Sequence, residues 1–202
     1  MAKPKTTKKA SKKTAMPSRA TALRAALNLA AKHEWSAIVM GDIAAECGCT
    51  PAELQKIFKD KNEVLIAYGE QLDRKVAENV YIDDASPERD RLFDVIMERF
   101  DILNEDRAAI LSIAKSFCTD PRGALSGLPH LGQSMTSMLD IAKIKGAGPR
   151  GIVTALGLTG VYLYALKVWR DDEKPDMGKT MAALDKALGH AEGAAQFLGR
   201  FI

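Results

Sequence analysis

The stretch 40–61, M-G-D-I-A-A-E-C-G-C-T-P-A-E-L-Q-K-I-F-K-D-K, constrains the fold more than any other part of the chain. Ile43, Ala44 and Cys47 recur at helical spacing and predict one buried stripe. Gly48 follows where the backbone must reverse, and glycine enters the left-handed region without a Cβ penalty. Thr50-Pro51-Ala52-Glu53 then predicts a helix start. Thr50 suits the N-cap, Pro51 stands where no amide hydrogen is needed, and Glu53 completes a capping box. Leu54, Ile57 and Phe58 give this second helix its buried side and leave Gln55, Lys56 and Lys59 outward. A helix, a glycine turn and a helix bearing amide and ammonium groups is the plan of a helix-turn-helix, which reads a DNA major groove.

The surrounding composition fits an all-α chain. Of 202 residues, 47% are hydrophobic and 27% charged, with few alternating strand-forming runs. The net charge of +3 conceals an asymmetry. Residues 1–33 hold nine of the 29 basic residues and no acid, so the remainder carries 20 basic against 26 acidic residues. A basic end on an acidic body predicts that one end meets a polyanion. Residues 1–17, rich in Lys, Thr and Ala with no apolar period, read as a disordered tail that docks on phosphates. Cys47, Cys49 and Cys118 are too few for a disulfide framework, and Cys47-Gly48-Cys49 has the wrong spacing for C-x-x-C. Its expected role is packing beneath the turn. The N-terminus has no apolar segment of a secretory signal, and the expected location is the cytoplasm.

Further helices are predicted over 18–33 and 60–80, the latter opened by the capping-box spacing of Asp60 and Glu63. Ser86-Pro87 begins another that ends near Asn104, and Arg107 to Cys118 makes the next. Residues 119–123, T-D-P-R-G, read as a turn before a helix over 128–145. The segment 149–170 is apolar on nearly all sides. Its core from Ile152 to Leu166 is shorter than the ~20 residues a bilayer needs, so the expectation is burial by protein and no membrane span. A last helix covers 176–197.

Stretch 40–61 resembles the DNA-binding region of TetR-family regulators. Met40, Asp42, Ile43, Ala44, Gly48, Thr50, Leu54, Phe58, Lys61, Val64 and Leu65 stand in matching places, and Leu23, Ala26, Leu27, Ala30 and Trp35 resemble that family's first helix. The chain departs from the pattern at Ile38, where a Thr or Ser cap is usual, and at Gln55 and Ile57, which replace tyrosines. Glu53 adds a negative charge at the DNA-facing end. The resemblance implies an all-α chain with a head over 18–61 that binds a double-stranded operator, and a body over 62–202 for ligand binding and dimerisation. Candidate DNA contacts are Arg19, Thr50, Gln55, Lys56, Lys59 and Lys61. Candidate lining for an apolar effector is Phe93, Met97, Phe100, Phe117, Met135, Met138 and Tyr162. The expected homodimer pairs through the last two helices, with Gly157, Gly160, Tyr164, Met181, Leu184 and Leu188 at the contact. The expected role is a repressor released by an apolar effector.

The segment W-R-D-D-E-K-P-D over 169–176, with Thr180, Leu184 and Asp185, resembles the C-terminal domain of ubiquinone-biosynthesis accessory proteins that share the TetR fold. That implies an alternative: an isoprenoid-lipid carrier that binds no DNA. Neither reading is an enzyme or needs a cofactor. His33, His130 and His190 are widely separated, and no metal, nucleophile or phosphate-loop spacing appears.

Overall fold

Nine helices and no strand make up the residues described by the computed structural model, 16–119, 121–144 and 148–199. Most of the Lys-rich tail and the side chain of Cys118 lie outside the described residues. Helix α1 (Arg19–Lys32) starts where the Ser18 hydroxyl accepts the Thr21 amide at 3.1 Å, and its stripe of Leu23, Ala26, Leu27 and Ala30 is buried. Helix α2 (Met40–Glu46) begins at Val39, whose amide donates to Asp42 Oδ2 at 2.9 Å. Asp42 therefore closes the start of α2 without a hydroxyl at Ile38, which is buried in the head core.

The turn after α2 is a Schellman motif. Gly48 takes a φ of 70°, the Cys49 amide donates to the Ala44 carbonyl at 2.9 Å, and the Gly48 amide donates to Ala45 at 3.1 Å. Helix α3 (Pro51–Leu54) follows and is shorter than the sequence pattern predicts. Beyond Leu54 the amides of Lys56 and Ile57 donate to carbonyls three residues back, so the chain tightens into 3₁₀-like turns before Phe58. Helix α4 (Lys61–Asn79), capped by Asp60, carries the chain out of the head.

The body adds α5 (Glu88–Glu105), α6 (Arg107–Thr119), α7 (Pro121–Ile141), α8 (Gly148–Arg170) and α9 (Gly178–Gly199). Helix α5 packs against α4, α7 and α9, α7 bridges α4 and α8, and α8 lies along α9. The expected turn over 119–123 is instead the start of α7, which opens at Pro121 and runs through Pro129. Proline suits a first helical position, where its missing amide hydrogen removes no bond. At the other end α7 stops at Ile141, short of the expected 145, and Lys143 turns into the left-handed region at φ 58°.

Head and body are joined along α1 and α6. Arg24 Nη1 donates to Asp106 Oδ1 at 2.5 Å. Ser112 Oγ donates to the His33 carbonyl and accepts the Trp35 amide, both at 2.9 Å.

Helix α8 departs from expectation. It is long and apolar enough to cross a bilayer, but only 28% of its most apolar window is buried within the chain. One stripe, Ala155, Leu158, Tyr162, Ala165 and Trp169, enters the core. The opposite stripe is exposed, with Ile152, Val153 and Leu156 at 65%, 62% and 65% accessibility, and Leu163 and Tyr164 beyond them.

Candidate nucleic-acid interface and ligand core

The capping box that starts α3 fixes the outer edge of the head. Glu53 Oε2 accepts both the Thr50 amide (2.8 Å) and the Thr50 hydroxyl (2.9 Å), which hold its carboxyl below the usual carboxylate range. Glu53 is therefore occupied in capping, as is the Thr50 side chain, which was expected to hold a phosphate. With Leu54 and Phe58 fully buried beneath, Gln55, Lys56 and Lys59 are exposed. Ile57 is half-buried against the head core, so its place is packing. Arg19 reaches this edge from α1. Its guanidinium lies 5.1 Å from the centre of the Phe58 ring and 3.7 Å from Glu70, with half of the side chain still accessible.

Lys61 is turned inward. Its ammonium donates to the carbonyls of Trp35 and of Ile38 (2.7 Å) and sits 4.6 Å from the centre of the Trp35 ring. Burial lowers its pKa, which the nearby Asp42 partly offsets. It ties the end of α1 to the start of α4 and is a brace of the head. The start of α4 is likewise filled by its own chain: Asp60 accepts the Glu63 amide at 3.0 Å, and Glu63 accepts the Lys59 amide at 2.6 Å. Cys47 and Cys49 are half-buried thiols packed on the head core, and burial raises the pKa of Cys47.

In the body, Phe100, Met135, Met138 and Tyr162 come together as buried core, with Phe100 and Tyr162 stacked at 5.5 Å. Phe93 and Met97 pack at its margin, half-buried, while Phe117 stands exposed. This core holds a group absent from the sequence expectation. Arg99, 3% exposed, ion-pairs with Asp73, donates through Nε to Tyr162 Oη at 3.3 Å and lies 4.0 Å from Met138 Sδ. Burial alone would lower the Arg99 pKa, but Tyr162 and Asp73 more than compensate and keep it a cation. Ser134 Oγ donates to Asp73 at 2.6 Å. Tyr68, 8% exposed, places its hydroxyl in the same region with no hydrogen-bond partner among the described residues. Burial, ahead of Asp106 and Tyr162, pushes the phenol's pKa up, so it remains a donor at neutral pH. The available signal was Arg99 itself, a charge on the α5 stripe of Leu92, Val95, Ile96, Phe100 and Leu103.

The expected pairing residues divide. Gly157, Gly160, Tyr164 and Met181 are exposed, and nothing lies within 4 Å of a Cβ built on either glycine. Leu184 and Leu188 instead face inward and are buried within one chain, because α9 packs along both α8 and α5. The segment that resembles quinone-biosynthesis proteins forms the α8–α9 connection. Trp169 Nε1 donates to Asn104 Oδ1 (2.9 Å), Asp172 Oδ2 accepts the Thr180 amide (2.9 Å) and hydroxyl (3.0 Å), and Arg107 donates to the Trp169 and Asp172 carbonyls at 2.8 Å. Folding the connection accounts for these residues without a lipid.

The sequence matches no protein-family model and no curated protein. Solved structures do match. A TetR transcriptional regulator from Nitrosomonas europaea ATCC 19718 aligns at 22% identity over 86% of this chain and 97% of that one, with a TM-score of 0.69. A TetR transcriptional regulator from Rhodococcus sp. RHA1 aligns at 18% identity over 85% and 93%, with a TM-score of 0.64. SmeT, the repressor of the Stenotrophomonas maltophilia multidrug efflux pump SmeDEF, aligns at 20% identity over 88% and 89%, with a TM-score of 0.52. With a helix-turn-helix head, a helical body and these likenesses along most of its length, the chain has the fold of the TetR-family transcriptional regulators.

Proposed function

We propose that this chain is a homodimeric transcriptional regulator that binds an operator through its helix-turn-helix and releases it when a ligand with an apolar body enters α4, α5, α7 and α8. The observation that carries this reading is the exposure of Gln55, Lys56 and Lys59 on an edge whose other side is locked by Leu54 and Phe58. Glutamine matches the paired donor and acceptor of adenine, and lysine matches guanine or phosphate. A head that buried these groups against its own body would favour the lipid carrier.

Groove reading through one short head requires a second head one turn along the duplex. The exposed stripe of α8 supplies a seat for that second copy. Gly157 and Gly160 permit close backbone approach, while Ile152, Val153, Leu156, Leu163 and Tyr164 provide the apolar area. Met181 of α9 lies exposed at the same kind of surface. SmeT, which shares the fold, is a repressor, and repression is the sign assigned here. The lysines of residues 3–13 add phosphate contacts in this reading.

Selection of binding sites from a random duplex library tests the proposal. It should enrich an inverted repeat whose half-sites are centred about 10–10.5 base pairs, or a multiple, apart. A library that emerges without an enriched sequence contradicts it.

A further inference from the structure

A charge deep in an apolar core contributes little stability compared with apolar residues of the same shape. A buried hydroxyl without a partner is destabilising outright. Arg99 on α5 and Tyr68 on α4 bring both features into one core, on two helices that pack against each other. The same core holds Phe100 and Tyr162, which are flat, and Met135 and Met138, whose unbranched side chains repack readily.

Resting on the ligand-responsive reading above, we propose that Arg99 and Tyr68 are the head-group subsite for a ligand that carries a carboxylate on an apolar body. The guanidinium offers a planar fork that fits a carboxylate. Asp73 holds that place in this structure, and its side chain is still 20% exposed at the seam of α4 and α7, where Ser134 meets it. An incoming acid takes Arg99 from Asp73 and accepts the Tyr68 hydroxyl. Asp73 swings out to water, which lowers the cost of the exchange. The apolar body then displaces methionine side chains against the Phe100–Tyr162 stack.

Calorimetric titration of the full chain with decanoate and with decanol, equal in chain length, separates a head-group site from a greasy cavity. Decanoate should bind about tenfold or more tighter than decanol, the range expected of one charge-assisted hydrogen bond. Tyr68→Phe removes only the unpartnered hydroxyl, so it should fold normally and weaken decanoate about tenfold, with decanol unchanged. Asp73→Asn removes the internal competitor and should tighten decanoate. Arg99→Gln should erase the preference for the acid, and if it does not fold, the other two variants decide. Equal affinity for acid and alcohol, absence of decanoate binding, or indifference of decanoate to both Tyr68→Phe and Asp73→Asn overturns the proposal. Operator affinity without ligand is a separate readout: its absence sinks the regulator and leaves the acid site standing, whereas loss of acid binding alone leaves the regulator intact.

Discussion

Replacing Trp169 by alanine is expected to lower the unfolding free energy by about 3–5 kcal/mol, the usual range for an aromatic deleted from a core. Trp169 is almost wholly buried at the end of α8, 6.2 Å from Phe100 between ring centres, with the Arg107 guanidinium 4.4 Å from its own. Its indole N–H holds Asn104, which also receives Arg107 at 3.0 Å, so one deletion loosens α5, α6 and the α8–α9 connection together. Trp169→Phe keeps most of the ring and should cost less, about 1–2 kcal/mol beyond any repacking, for the missing hydrogen bond. Urea unfolding followed by circular dichroism measures both. An alanine variant within about 1 kcal/mol of the parent would mean that the connection does not rest on this side chain.

Leu156→Asp should leave the isolated chain folded and separate the two copies of the proposed dimer. Leu156 is exposed on α8, so the monomer loses almost nothing. Across a two-fold contact the same residue faces its own copy or a near neighbour, and a carboxylate buried there without a partner costs about 3 kcal/mol or more. Both copies carry it, so the dissociation constant should rise by at least about a hundredfold. Light scattering should report a monomer, circular dichroism should be unchanged, and operator affinity should collapse because a lone head meets one half-site. A variant that stays dimeric places the two-fold contact elsewhere.

The head was legible in the sequence because its decisive interactions are local. Ser18, Thr50 and Asp60 each cap within three residues, and Gly48 sets the turn through its own backbone. The two faces of α8 were less legible. An apolar stripe facing the core and one left exposed have the same composition, and only the packing of α7 and α9 tells them apart. The same difficulty hid the inward direction of Leu184 and Leu188. Lys61 read as a phosphate contact because its partners are the carbonyls of Trp35 and Ile38, which leave no trace in side-chain pattern. The polar cluster around Arg99 was hidden for a related reason. Asp73, Arg99, Ser134 and Tyr162 come from four helices, far apart along the chain, and no spacing rule connects them.

In the proposed function, regulation depends on the head holding DNA through Gln55, Lys56 and Lys59. Fluorescence anisotropy on the selected duplex and on a random one, across a series of salt concentrations, tests this directly. Tight binding is expected to the selected duplex alone, with the logarithm of affinity falling linearly against that of salt. Replacing Lys56 and Lys59 together with alanine should reduce that slope by about 4, roughly one for each of the four ammoniums that the two heads withdraw from phosphates. Equal affinity for the two duplexes, or a salt slope that the double variant leaves unchanged, contradicts this reading of the head.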